Sequence, residues 1–219
     1  MLWTVDPRSL PQALFHMATD RFSLRADSRI TFIKSLGTGA GSTFTPRDAD
    51  IRTWGLLLTF DGELEDLDSQ RSIRSWRKFA HREEIYQLSP ISSHGLWAKK
   101  APFVSEDPLA SRNWKGEVAT ITRARIRWHE NLRFWRAVPE VTQSLHLADG
   151  LIRAIGIGEA PIGLQGTFSH WRSSADLRAF AYQGDAHKKA IDLTAKHRWY
   201  SEELFARFAV LQHTSVNLR

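Results

Sequence analysis

Two histidines stand where an imidazole could serve a reaction. His187 is predicted near the start of a helix spanning 186–198, and Ala190 and Ile191 follow it on the same helical face. An imidazole presented from a helix into an apolar space is the arrangement that a proximal haem ligand requires. His170 ends a predicted strand and could line a cavity equally well. The residues alone leave both interpretations open.

Other common reaction centres are excluded by residue type or spacing. The chain has no cysteine, so disulfides, thiolate metal sites and iron–sulfur clusters are excluded. Gly156 and Gly158 lack the third glycine of a dinucleotide fingerprint, and they indicate a tight strand end with positive φ instead. No two histidines have the His-x-x-x-His spacing of a zinc or di-iron site. A Gly-x-Ser-x-Gly nucleophile elbow is absent too.

The chain is basic, with 30 Lys and Arg against 24 Asp and Glu and a formal charge of +6. That charge permits anionic partners without selecting among them. Arg71, Arg74, Arg77 and Lys78 lie close together on a predicted helix. The sequence contains no recognisable nucleic-acid-binding module, so we interpret these residues as a solvated face and expect no nucleic-acid partner.

The composition is that of a globular protein rich in aromatic rings. Of the 219 residues, 42% are hydrophobic and nine are tryptophan. Such rings indicate either an aromatic core or a cavity for a large, flat, apolar ligand. The apolar runs are too short to span a bilayer and no secretory signal is visible, so we expect a cytoplasmic protein.

Two stretches of the chain share one order of elements. In each, a β-rich run ends in Gly-x-Gly (Gly37/Gly39 and Gly156/Gly158), a Pro-containing loop follows, and a second strand leads into a helix. A strand and a helix precede each stretch, and a closing strand follows it. This is the β-α-β-β-α-β order of a ferredoxin-like unit. The predicted elements of the first half are strand 2–5, helix 7–22, helix 68–80 and strand 84–88. Those of the second half are strand 118–127, helix 130–147 with a kink at Pro139, helix 173–183 and strand 204–211.

These elements predict an α+β fold with two tandem ferredoxin-like halves. Residues 1–91 form the first half, 92–117 a Pro-containing linker, and 118–219 the second half with its extra helix 186–198. Residues 118–127 alternate in the way that predicts a half-buried strand. Each half leaves one face of an antiparallel sheet to bury, so we expect the two sheets to pack together as a barrel-like unit with the helices outside.

Several segments resemble the spheroidene monooxygenase family of carotenoid ketolases. The longest covers residues 155–173 (IGIGEAPIGLQGTFSHWRS), and 177–182 (LRAFAY) and 199–208 (WYSEELFARF) follow it. In the first half, 34–39 (KSLGTG) and Trp54 are similar as well. The resemblance implies the dimeric α/β-barrel superfamily fold, which agrees with the internal repeat. It also implies a monooxygenase that uses haem b and dioxygen on an acyclic carotenoid.

The resemblance extends to candidate site residues. The pattern His-x-x-x-Ile-x-x-Thr around His187 is similar to the family's, which favours His187 as the iron ligand over His170. Arg172 and Lys34 are candidates to meet the haem propionates. The substrate pocket that we expect on this basis is formed by His170, Trp171, Phe168 and Trp54.

The expected partners are an apolar small-molecule substrate, dioxygen and an external electron donor such as ferredoxin. Peripheral contact with a membrane and assembly into a homo-oligomer are compatible with this interpretation. Two alternatives stay open: a cofactor-free oxygenase on the same barrel, and a non-catalytic protein that binds an apolar ligand or haem.

Overall fold

A computed structural model describes residues 1–43, 46–62, 64–104, 113–130, 142, 144–159, 164–183 and 199–218. The chain divides into two compact units. Unit 1 comprises Met1–Thr38, Asp50–Gln87 and Leu211–Arg219, and unit 2 comprises Gly39–Ala49 and Leu88–Val210. The described residues form eight strands and a smaller set of helices, which confirms the predicted α+β class.

The first half of the chain has the predicted ferredoxin-like order. Its elements are β1 (Leu2–Val5), α1 (Leu10–Leu24), β2 (Ile30–Gly39), β3 (Ala49–Phe60), α2 (Leu64–Asp68), α3 (Arg71–Phe79) and β4 (Ala80–Gly95). The strands lie in the order β2-β3-β1-β4. Strand β1 is antiparallel to both of its neighbours, β3 and β4. A helix therefore connects β1 to β2 and another connects β3 to β4, as the repeat predicted.

The second half repeats this order. Its elements are β5 (Val118–Ile126), β6 (Leu151–Gly158), β7 (Leu164–Trp171), α4 (Ser174–Gln183) and β8 (Tyr200–Asn217), with strand order β6-β7-β5-β8. Between β5 and β6, Thr142 and residues 144–146 are helical. The rest of the predicted helix 130–147, with its kink at Pro139, lies largely outside the described residues, as does the extra helix 186–198. The predicted packing of one sheet on the other stays a prediction.

Several element bounds differ from the sequence prediction. The helix expected over 68–80 is interrupted at Ser69, whose hydroxyl donates a 2.7 Å hydrogen bond to the carbonyl of Asp66. Such a bond competes with helical pairing, so α2 and α3 are separate helices. The closing strand expected over 84–88 extends from Ala80 to Gly95 as β4, and it thereby enters the predicted linker.

Strand β5 is not half-buried as predicted. Val118 and Thr120 are buried, and so are Ala119 and Ile121 on the opposite face. The physical reason is that both faces are packed: Val118 lies in a core cluster with Leu177 of α4, and Ile121 is buried on the opposite face. The alternation of residue types in the sequence therefore does not indicate that one face of β5 is solvated. Single positions, such as Thr122, are exposed.

The Gly-x-Gly pairs are also placed differently from the prediction. The described glycines with positive φ are Gly41, Gly95 and Gly150, so none of the four paired glycines needs that conformation. At Gly39, a side chain would lie 3.3 Å from the carbonyl oxygen of Asp48 and 3.7 Å from Cα of Gly156. Gly39 and Gly156, one from each pair, therefore lie close together inside unit 2, and close approach of the backbones explains glycine there.

Two strands contribute residues to both units. Strand β4 belongs to unit 1 up to Gln87 and to unit 2 beyond it, and β8 passes from unit 2 to unit 1 after Val210. In unit 1 the end of β8 lies beside β4, where Tyr86 and His213 stack with ring centroids 4.1 Å apart. Residues 211–219, which the sequence assigned to the second half, are therefore grouped with the first.

Tryptophan side chains fill much of the interior. Among the described residues Trp3, Trp76, Trp97, Trp171 and Trp199 are buried. In unit 1, residues of β1, α1 and α3 form one core cluster that includes Trp3, Leu24 and Trp76. None of the described helices is long and apolar enough to cross a membrane.

Candidate functional site

The sheet of unit 2 has two faces with different neighbours. Trp171 packs against Phe180 of α4, with ring centroids 5.3 Å apart. Successive residues of a strand point to opposite faces, so Phe168 and His170 lie on the face away from α4. The structure therefore brings together two of the predicted pocket residues, Phe168 and His170, and separates Trp171 from them.

The face away from α4 is apolar and buried. Phe168 pairs with Ile121 on one side and with Ile155 on the other. We call this set the apolar sheet face; its members are Ala119, Ile121, Ile155, Ile157, Phe168, Ala206 and Phe208, all buried. Phe103 packs edge-on against Phe208 at 4.9 Å between centroids. These side chains carry no polar atoms, so contacts with this face are apolar.

A buried histidine borders this apolar sheet face. His170 is 1% exposed and pairs across the sheet with Ala119. Its Nε2 lies 2.9 Å from a carboxylate oxygen of Glu117, whose side chain is half exposed. Because a carboxylate accepts hydrogen bonds, Glu117 fixes the proton on Nε2. Nε2 of His170 is therefore engaged by a protein group and carries a proton at the border of the face.

An arginine with two acidic partners lies farther along the same face. Arg123 pairs with Gly166 of β7 and is 2% exposed. Its guanidinium donates to Glu159 at 3.0 Å and to Glu202. The indole N–H of Trp97 donates to Glu159 at 2.7 Å, and the guanidinium lies 5.6 Å from the centre of that ring. We call Arg123, Glu159, Glu202 and Trp97 the Arg123 cluster.

Glu202 also holds an unusual turn. Ala98 and Lys99 both have positive φ, at 53° and 63°. Their backbone N–H groups donate to the Glu202 carboxylate at 3.0 and 2.7 Å. Burial alone would raise the pKa of Glu202, but the hydrogen bonds from Lys99, Ala98 and Arg123 hold the pKa below its ordinary value of 4.5. Glu202 is thus an ionised group at neutral pH that fixes both the turn and the guanidinium.

The remaining predicted site residues are dispersed. Lys34 of β2 lies in unit 1, with its ammonium 5.6 Å from the ring of Phe32. Trp54 also lies in unit 1, where it pairs with Trp3 and packs on that core. Arg172 is exposed directly after β7, and its backbone N–H donates to Gly150 at 2.8 Å. His187 lies outside the described residues.

Unit 1 contains a hydrogen-bonded chain of serine, histidine and aspartate. Ser75 Oγ lies 2.9 Å from His16 Nε2, and His16 Nδ1 lies 2.7 Å from Asp20. Ser75 lies within α3, where backbone N–H groups donate along the helix, as Arg74 does to Gln70. An acyl-transfer site needs N–H donors directed at a developing oxyanion. We therefore assign this chain to the packing of α1 on α3.

Sequence reasoning missed the Arg123 cluster. Its members are separated by up to 105 residues along the chain, and Trp97 lies in the predicted linker. Arg123 alternates with Arg125 and Arg127, which is typical of a solvated strand face. No local pattern distinguishes the one buried guanidinium in that series, because its partners come from β6 and β8.

Comparison with known proteins agrees with the resemblance found in the sequence. No model of a known protein family matches the chain. Spheroidene monooxygenase of Rhodobacter capsulatus is 35% identical over 206 residues, which cover 93% of this chain and 85% of the relative. Spheroidene monooxygenase of Rubrivivax gelatinosus is 37% identical over 189 residues, covering 84% of this chain and 70% of the relative.

A solved structure supports the fold alone. The crystal structure of an aldoxime dehydratase in complex with butyraldoxime aligns with a TM-score of 0.60 over 99% of this chain and 80% of that chain, at 10% identity. Sequence identity this low carries no statement about activity. The extent and identity of the match to the curated relatives are what decide the assignment, and the chain belongs to the spheroidene monooxygenase family.

Proposed function

We propose that the protein is a haem-dependent monooxygenase that oxygenates an acyclic carotenoid with dioxygen. The carotenoid substrate class is suggested by the names of its relatives. The structural observation that carries the proposal is the apolar sheet face, because a polyene offers no hydrogen bonds and is held by apolar contact alone. The rings of Phe168 and Phe208 lie on that face, where they would contact the polyene and exclude water.

The described residues fit haem in two respects. A macrocycle needs apolar contacts, which the side chains of the apolar sheet face would make, and its propionates need cations. We propose that Arg172, which is exposed two residues after His170, meets a propionate. Nε2 of His170 is engaged by Glu117, so we propose that His187 would be the histidine that binds the haem iron. When bound, haem iron supplies the activation of dioxygen.

The protein's own residues hold the substrate and a proton. His170 carries a proton on Nε2, next to Glu117, at the border of the apolar sheet face. Monooxygenation places one oxygen atom of dioxygen in the product and reduces the other to water. That reduction consumes two electrons and two protons, so an external electron donor is part of the proposed reaction.

The test combines a spectrum with an isotope experiment on the purified protein supplied with haem, an acyclic carotenoid, a reductant and labelled dioxygen. We expect a Soret band, and one labelled oxygen atom in each oxygenation product. His187→Ala is expected to abolish the Soret band, or to regain it only with added imidazole, whereas the control His170→Ala keeps it. Product label derived from water would contradict the monooxygenase. Turnover without a Soret band would show a cofactor-free oxygenase. Absence of turnover would favour a non-catalytic binding protein.

A further inference from the structure

Helix α1 buries two polar residues beside Ala13 and Leu24, and it exposes three large apolar side chains. Its buried positions include His16 and Asp20. Its exposed positions include Leu14, Phe15 and Phe22, which are 58%, 65% and 60% exposed. At 100° per residue these three side chains fall within one arc on the side opposite the buried residues. Large apolar side chains grouped on a solvated helix face usually mark a surface that contacts a partner.

Cations surround this apolar strip. Arg21 and Arg25 are exposed on the same side of α1, and the Arg21 guanidinium lies 4.5 Å from the centre of the Phe22 ring. Helix α3 exposes three more cations, namely Arg71, Arg74 and Lys78.

The cations of both helices face the same way. Ala13 and Leu24 of α1 share a core cluster with Ile73 and Trp76 of α3. Because both helices bury one side in that cluster, their exposed sides lie on the same outer surface of unit 1. Asp20 is the single carboxylate in these two helices, which the structure describes in full, and it is buried. The outer surface of α1 and α3 therefore combines an apolar strip on α1 with exposed cations on both helices, and neither helix exposes a carboxylate.

We propose that this surface docks the protein on an anionic lipid bilayer. Aromatic and aliphatic side chains with flanking Arg and Lys are the pattern of a helix that lies in the membrane interface. A second copy of the chain fits poorly, because a two-fold interface would bring the same cations face to face. The proposal rests on the proposed function in one respect, namely that the substrate is apolar. An apolar substrate dissolves in the bilayer, so docking there would bring the protein to it.

The binding test uses purified protein and vesicles of phosphatidylcholine mixed with phosphatidylglycerol, with phosphatidylcholine vesicles for comparison. Co-sedimentation is measured without carotenoid, haem or reductant, so its outcome is independent of catalysis. We expect binding to the anionic vesicles that falls steeply with added salt. Equal binding to both kinds of vesicle, or to neither, overturns the proposal.

Two variants with matched controls locate the surface. Phe15→Ser combined with Phe22→Ser should lower partitioning by roughly tenfold for each ring removed. Ile51→Ser is the control, because Ile51 on β3 is 58% exposed but lies outside the two helices. Arg71→Glu combined with Arg74→Glu should lower binding by about fivefold or more for each site. Its control is Arg52→Glu, which changes an exposed arginine of β3.

The charge variant leaves the apolar strip untouched, so it tests the surface even if the phenylalanine variant fails to fold. Full binding by either folded helix variant contradicts the proposal, as does an equal loss in its control. Sedimentation velocity tests the other candidate for this surface, a second copy of the chain. A dimer in the wild type that Phe15→Ser with Phe22→Ser converts to monomer would assign the surface to a second copy and overturn docking on lipid.

Discussion

The indole rings of Trp3 and Trp76 stack in parallel in unit 1, with centroids 4.9 Å apart and 5° between their planes. Each N–H group has its own acceptor. Trp3 donates to Glu83 at 2.8 Å, and Trp76 donates to Asp20 at 2.7 Å. Both acceptors are buried, so the stack joins β1 to α3 by a large apolar contact while every indole proton is satisfied.

Removal of the Asp20 carboxylate should destabilise unit 1. Asp20→Ala leaves the indole N–H of Trp76 and Nδ1 of His16 without their acceptor in a buried site. We expect a loss of about 3 kcal/mol in the free energy of unfolding, measured by urea denaturation. Asp20→Asn keeps one acceptor oxygen and should lose less. Equal losses in the two variants would contradict this account.

The stabilisation that Glu202 provides should depend on pH. Its folded-state pKa lies below the ordinary 4.5, so its contribution is present above that pH and is lost as pH falls through the folded-state pKa. Glu202→Gln should therefore cost about 2 kcal/mol at neutral pH, and the difference from wild type should shrink in acid. Denaturant unfolding across the acidic range measures this. A difference that stays constant as pH falls would show that charge is not the cause.

Gly166 should tolerate no side chain. A Cβ there would lie 2.6 Å from the carbonyl oxygen of Thr122, on the backbone of the neighbouring strand. Gly166→Ala should cost about 2 kcal/mol of stability in urea denaturation. Gly55→Ala is a suitable control, because its nearest neighbours are side-chain atoms at 3.3 and 3.4 Å, and it should cost less.

The apolar sheet face can be probed kinetically. Phe168→Leu removes a ring from that face while keeping an apolar side chain, so we expect KM for the carotenoid to rise about fivefold with little change in kcat. Phe180→Leu changes a ring on the opposite side of the sheet, where it packs on Trp171. That variant should keep the wild-type KM. Equal effects of the two substitutions would place the substrate elsewhere.

The order of elements was predictable because it depends on local signals. The ends of strands and helices are marked by apolar periodicity, by Gly-x-Gly and by proline. These signals are enough to predict two halves with the same order of elements. The burial of β5 on both faces was not predictable, because it depends on which distant elements pack against each face. The same holds for Arg123, whose partner Glu202 is 79 residues away. Helix α1 was predicted as a helix, but its inward-facing His16 and Asp20 depend on Ser75 and Trp76 of α3.

The passage of β8 into unit 1 has a consequence for biosynthesis. Arg82 of β4 donates a 3.1 Å hydrogen bond to Ser215, and the backbone of Leu218 donates to His81. Ser215 of β8 and Leu218 directly after that strand are synthesised after everything else in unit 1. While the ribosome is still adding the second half, β4 therefore exposes an edge with unpaired backbone groups. A fragment ending at residue 91 would keep that open edge permanently, and it would be prone to aggregate as an isolated half.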